Sequence, residues 1–192
     1  MIGELPTTLK IGGEDYSIRS DFRVMLNIFQ AFNDPDLTEG EKCFVCLKCL
    51  YEDFEKITED CLEEAVKKAY WFCDGGDIPK EENVKNVKTF DWEQDEHMIF
   101  PAVNKAAGYE TRAVPYLHWW AFLGLFGEIG EGLFSQVVNI RNKRAKGKKL
   151  DKTEKEFYRE HKNMIEIKKR LSEEELRRER EDEEFIRELT GE

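Results

Sequence analysis

The sequence predicts a mainly α fold: a small helical bundle with a short N-terminal β-hairpin and a long, charged C-terminal helical extension. Three observations carry this expectation. Apolar residues recur at three- and four-residue spacing through most of residues 19–140, the repeat that lines one face of a helix. Helix-starting residues and helix-ending glycines punctuate that pattern. Only the first 18 residues read as strands, about a Gly12-Gly13 turn. Hydrophobic residues form 40% of the chain, with thirteen Phe, six Tyr and four Trp, so there is bulky material for a core and not a disordered composition.

Residues 7–11 and 16–18 are strand-like runs, with Gly12-Gly13-Glu14-Asp15 as the turn between them. A two-stranded hairpin is not stable alone, so it must lie against the helices that follow. Ser20 or Asp21 can cap a first helix, whose Phe22, Met25, Leu26, Phe29 and Phe32 share one face. Asn33-Asp34-Pro35-Asp36 ends it. Thr38 and Glu41 have the capping-box spacing and open a second helix, expected to reach about Phe54. Thr58 can cap a third that runs to Cys73 and stops at Gly75-Gly76. Residues 77–89, with Pro79, read as a loop or linker. Asp91 is expected to cap a fourth helix from Trp92 to about Ala107, in which Pro101 predicts a kink or an early end. Pro115 suits the first turn of a fifth helix reaching about Phe126. Gly127, Gly130 and Gly132 mark a bend before a short sixth helix through Phe134, Val137, Val138 and Ile140.

Charge divides the chain. Residues 1–140 hold 13 Lys/Arg against 26 Asp/Glu, whereas residues 141–192 hold 17 against 15. The expected organisation is an acidic helical body with its hairpin over 1–140, then a basic connector and charged helical tail over 141–192. Ser172 and Glu175 form another capping-box pair, which splits the tail into two helices. Its apolar points are sparse (Phe157, Met164, Ile165, Ile167, Leu171), so residues 151–192 are expected to be dispensable for folding.

The formal charge of −11 opposes sequence-independent binding to nucleic acid or to an anionic membrane, since both would repel the chain. The basic run over 141–149 has no interleaved aromatics and reads as a solvated connector. Residues 1–10 carry no secretory signal pattern. The most apolar run, 116–127, is too short to cross a bilayer and contains His118. Five cysteines, three of them close together, suit a reducing cytoplasm better than a disulfide framework.

Candidate chemistry is thin. Cys43, Cys46 and Cys49 repeat a Cys-x-x-Cys spacing, but that spacing is also one helical turn, and Leu47, Leu50, Phe54 and Ile57 continue the same stripe. The cysteines are therefore read as core packing, not as metal ligands. Glu93 and His97 could share a metal across one turn, yet no second such pair exists, and a solvated face is the better reading. Gly127-Glu128-Ile129-Gly130-Glu131-Gly132 lacks the Lys and Ser/Thr of a phosphate loop, and its two glutamates would repel phosphate. With no Gly-x-Ser-x-Gly element and no recognisable nucleophile, neither an enzyme nor a cofactor is expected.

The remaining feature is Tyr116-Leu117-His118-Trp119-Trp120-Ala121-Phe122-Leu123-Gly124-Leu125-Phe126, a helix apolar on nearly every side and so central in the bundle. Tyr116, His118, Trp119, Trp120 and Phe122 are the candidate partner-binding residues, because aromatic side chains are enriched at binding hot spots. Adjacent helical residues point about 100° apart. One tryptophan is therefore expected in the core and the other in a groove.

Phe90-Asp91-Trp92-Glu93-Gln94-Asp95, followed by Tyr116-Leu117-His118-Trp119-Trp120-Ala121-Phe122 and Ile140-Arg141, resembles the "gene product fifteen" family of bacteriophages and prophages over residues 1–150. The family is encoded between the major tail protein and the tape-measure protein of long-tailed phages. That resemblance implies a non-catalytic tail assembly chaperone in the cytoplasm of the bacterial host. It would coat the helical tape-measure protein and assist polymerisation of the tail tube. The implied partners are the tape-measure protein, the major tail protein as a second candidate, and further copies of the chain itself. The alternative reading is a structural tail-completion or connector protein of the virion; a metal-binding protein using Cys43, Cys46 and Cys49 ranks third.

Overall fold

A computed structural model describes residues 3–77 and 88–190, and its fold is mainly α with one N-terminal hairpin. Strands β1 (Thr8–Ile11) and β2 (Glu14–Ser17) pair antiparallel, with Thr8 opposite Ser17 and Ile11 opposite Glu14. Gly12 and Gly13 have φ of 58° and 89°, the positive values that a two-residue turn between twisted strands requires. The turn is therefore shorter than its four-residue sequence signal, and Glu14 and Asp15 join the strand. Leu9 and Ile11 are buried, and β1 lies on α3 (Leu62–Cys73).

Helix α1 (Phe22–Phe32) is capped by the Asp21 carboxylate, which accepts from the Arg23 amide at 2.9 Å. Helix α2 (Glu39–Leu50) opens with the reciprocal Thr38–Glu41 capping box. It ends four residues before the expected Phe54. Tyr51 turns extended there and pairs with Ile18, while the Arg19 amide donates to Leu50 O at 2.8 Å. The Arg19 guanidinium also donates to the carbonyls of Lys48, Cys49 and Tyr51, so a distant residue closes the helix end. Short 3-10 turns at Phe54–Lys56 and Glu59–Cys61 lead into α3.

Most of the expected 77–89 linker (residues 78–87, with Pro79) lies outside the described residues. Helix α4 (Glu96–Ala107) starts later than expected, because Asp91 caps the tight turn before it instead. The helix also continues past Pro101, whose ring lies on the exposed side, and stops at Gly108 in the left-handed conformation. Helix α5 (Trp119–Gly127) likewise begins late: residues 116–118 are extended and bond to the stretch before α1, with Phe22 N donating to Leu117 O at 3.0 Å and Trp119 N to Ser20 O at 2.7 Å. Pro115 lies before this stretch and not in a helix. Helix α6 (Leu133–Ala145) runs into the basic segment, followed by α7 (Lys152–Glu160), the single turn α8 (Lys162–Ile165) and α9 (Glu173–Thr190).

Helix α1 packs on α2 and α5, α3 on α2, and α4 on α5 and α6. Met25, Ile28, Leu50, Phe72, Val103, Trp119, Phe122, Val137 and Ile140 fill the interior. Ile165 belongs to the same core at 1% exposure. The compositional change at residue 140 therefore coincides with no break in packing, because α6 crosses it and α8 returns to the body. Among the described residues, no helix is long and apolar enough to cross a membrane.

Candidate functional site

The five aromatic-helix candidates have separate roles. His118 is 3% exposed and acts as the N-cap of α5: its Nδ1 accepts from the Trp120 amide at 3.0 Å, which leaves Nε2–H to donate to Pro6 O at 3.0 Å. Phe122 is fully buried and stacks on Phe22, with ring centroids 4.6 Å apart and planes inclined by 4°. Trp119 is fully buried, and its indole N–H donates to Cys73 O at 2.9 Å. Trp120 is half-buried, stacks on Phe72 and donates its indole N–H to Phe72 O, also at 2.9 Å. Tyr116 is the exposed member at 52%, with its hydroxyl 2.7 Å from Ser20 Oγ.

The tryptophan pair therefore serves a purpose that the helical wheel does not reveal. Both indoles satisfy carbonyls at the C-terminus of α3, which have no partner inside their own helix. Gly76 permits the approach: its φ is 89°, and a Cβ there would lie 2.7 Å from the Trp120 ring. Burial removes His118, Trp119 and Phe122 from any open groove in this conformation. Tyr116 and part of Trp120 remain accessible.

The acidic stretch before α4 builds a second constellation, which sequence reasoning met only as a string. Asp95 and Arg141 form a buried bidentate pair, with side chains 0% and 6% exposed and Arg141 Nη2 donating to Asp95 Oδ1 at 2.9 Å. The same guanidinium donates to the carbonyls of Ile165 (2.6 Å), Met164 (2.8 Å) and Thr89 (3.1 Å). All of its donor nitrogens are thus engaged, and Asp95 also accepts from the Asp91 amide at 2.9 Å. Gln94 grips the extended segment after α8 at two points: its Nε2 donates to Glu166 O and its Oε1 accepts from Lys168 N, each at 2.9 Å. Asp91, with its side chain 5% exposed, receives Lys88 Nζ at 2.6 Å, the amides of Glu93 and Gln94, and Arg170 Nη2 at 3.4 Å. Burial pushes the Asp91 carboxyl up, but the Lys88 and amide hydrogen bonds outweigh it and hold the group down to about 2. This clasp fastens residues 164–170 across the start of α4 and the end of α6.

Glu93 precedes α4 and pairs with Arg170 at 2.6 Å, so it shares no helical face with His97. Cys43, Cys46 and Cys49 lie on α2, with Cys46 buried and the other two half-buried. Burial raises the thiols of Cys43 and Cys49. Cys73 is raised by its hydrogen bond with Cys46 and by burial, so these are thiols and not reactive thiolates. Among the described residues, no group of three or more His, Cys, Asp or Glu is placed to hold a metal ion.

A cleft of about 480 Å³ opens between α1 and α4. Phe22, Leu26, Trp92 and Phe100 line its apolar part, and Arg23, Arg112 and Arg170 stand at its rim with Glu93 and Glu96. Sequence reasoning missed this cleft, because its walls come from three distant stretches of chain.

Helices locked by a polar clasp and by aromatic capping, with a mixed cleft on one side, define a mainly α body whose strongest sequence signature is structural. That signature has a family behind it. The model for the bacteriophage Gp15 protein matches residues 1–167, and the chain belongs to that family. The match extends past the expected limit of 150 and takes in Glu166 and Ile167, where Gln94 grips the returning segment. It places the protein among the structural and morphogenesis proteins of phages. No curated protein and no solved structure matches the chain.

Proposed function

We propose that the protein is a non-catalytic tail assembly chaperone. It binds the tape-measure protein in the cytoplasm of the bacterial host while the tail tube is assembled around it, with the major tail protein as a second partner. Family membership over residues 1–167 carries this reading. The physical chemistry supports it: a long helical client must have its apolar stripe covered before the tube encloses it, and a net charge of −11 keeps such a complex in solution. The reading requires no cofactor, nucleic acid or membrane. Tyr116 and the accessible part of Trp120 are the aromatic-helix residues left to touch a client.

Co-expression with segments of the tape-measure protein from the same genome tests the proposal. A soluble complex is expected, weakened by Tyr116→Ala without loss of fold. Finished virions are expected to contain little of the protein. Its recovery in stoichiometric amounts from virions would overturn the chaperone reading in favour of a tail-completion or connector component.

A further inference from the structure

The basic segment after α6 reads in sequence as a solvated connector, but the structure folds it onto the body. Helix α7 lies on α6 through Phe157 and Tyr158, both half-buried against the core, and through Glu154, which receives Lys143 Nζ and Asn139 Nδ2. Lys152, Lys155 and Arg159 are left on the outward face, spaced three and four apart, with Glu156 and Glu160 on its flank. The loop before α7 adds Lys146, Lys148 and Lys149. All six cations are exposed, and among the described residues none has an ion-pair partner. Residues 142–169 hold eleven Lys/Arg against five Asp/Glu, so a positive lobe stands on a body of opposite sign.

The body carries the complementary surface at its hairpin. The Gly12 amide donates to Glu64 Oε2 at 2.9 Å, and a Cβ at Gly12 would lie 2.8 Å from Cys61 Sγ. The hairpin tip and the turn before α3 thus form one surface, where residues 10–15 and 59–64 bring six acidic side chains against Lys10. Glu14, Asp15, Glu59 and Asp60 are exposed there and have no ion pair among the described residues. No described cation of residues 142–169 pairs with a described acid of residues 1–140, so both surfaces keep their charge for a partner. A nucleic acid strand fits the lobe poorly. Its charge is continuous, so beyond the lobe it meets residues 173–192, with ten acidic against four basic residues, and the acidic body. The rings of Phe157 and Tyr158 are packed on the core and not free for base stacking. A compact acidic surface matches instead.

We infer that the lobe formed by α7 and its preceding loop docks on the acidic hairpin tip of a second copy of this chain. Each copy then keeps one lobe and one tip free, so the contact is heterologous and propagates head to tail. Exposed ion pairs are individually weak, so the association depends on several at once and on low ionic strength. The inference concerns the protein alone and stands or falls independently of any client.

Sedimentation equilibrium of the full chain without partners tests it. Reversible association is expected below about 1 mM protein at low salt. It should disappear at about 1 M salt, where charges are screened within about 3 Å. The lobe variant Lys148→Gln/Lys152→Gln/Lys155→Gln and the tip variant Glu14→Gln/Asp15→Asn/Asp60→Asn should each lower the association constant at least about tenfold. Mixed together, the two should form a one-to-one complex and nothing larger, because a single intact lobe then meets a single intact tip. All of these side chains are exposed, so each variant keeps the fold, which its thermal melt checks. A wild-type chain that stays monomeric at about 1 mM in low salt would overturn the inference. So would variants that associate like wild type, a mixture that stays monomeric, or tighter binding of a mixed-sequence DNA oligonucleotide than of a second copy.

Discussion

Replacing Arg141 with Met should be among the most damaging single changes in this protein. The substitution keeps a long, flexible side chain in place but removes the charge that neutralises Asp95, whose side chain is 0% exposed. Removing one member of a buried ion pair costs about 3–5 kcal/mol, because the other charge is left uncompensated. The guanidinium also serves three carbonyls, and that of Ile165 is buried. Its loss adds a further penalty of about 1–3 kcal/mol, with partial overlap between the terms. A total near 4–6 kcal/mol is expected, against about 5–15 kcal/mol for the stability of a whole domain. The double variant Asp95→Leu/Arg141→Met separates the contributions. If charge pairing were the whole role, an apolar pair of similar shape would restore stability. The structure predicts incomplete recovery, because Ile165 O and the Asp91 amide still lack their partners. Urea denaturation gives the readout, as a fall in midpoint at nearly constant m-value. Amide exchange over 164–168 should accelerate in parallel. A cost below about 1 kcal/mol for Arg141→Met would refute the clasp as a stabilising element.

Two further outcomes follow from the same geometry. Trp119→Ala should cost about 3–5 kcal/mol in thermal or urea unfolding as a core deletion. Trp120→Phe, which keeps ring packing and removes only the donor to Phe72 O, should cost about 1 kcal/mol, and equal losses for the two would contradict the structure. The second outcome concerns acid. The carboxyl of Asp91 is held at about 2 in the folded protein, against about 4 for an unfolded aspartate, so its contribution is complete above pH 4 and is lost as pH falls towards 2. That component is worth about 2 kcal/mol, and Asp91→Asn should remove it, flattening the stability profile in this window.

The sequence alone determined features that depend on residues a few positions apart. The Gly12-Gly13 turn, the Thr38–Glu41 box, the end of α3 at Gly75-Gly76 and the Ser172–Glu175 start of α9 all stand in the structure as their residue types require, and of the two caps that the sequence offers for α1, Ser20 and Asp21, the structure uses Asp21. Such signals are legible because a cap or a positive φ is satisfied within one turn of chain. The mainly α class and the family followed from the same patterns and from the residues 90–95 motif. What that motif does was decided by tertiary structure. Arg141 meets Asp95 across 46 positions, Trp119 caps α3 across another 46, and Arg19 closes α2 from about 30 residues away. Ile165 reads as a sparse apolar point in a charged tail, yet it is core because the clasp brings α8 back to the body. Pairings between distant residues leave no periodicity in either partner's neighbourhood, so only the folded chain, in which buried polar groups must find their partners, could reveal them.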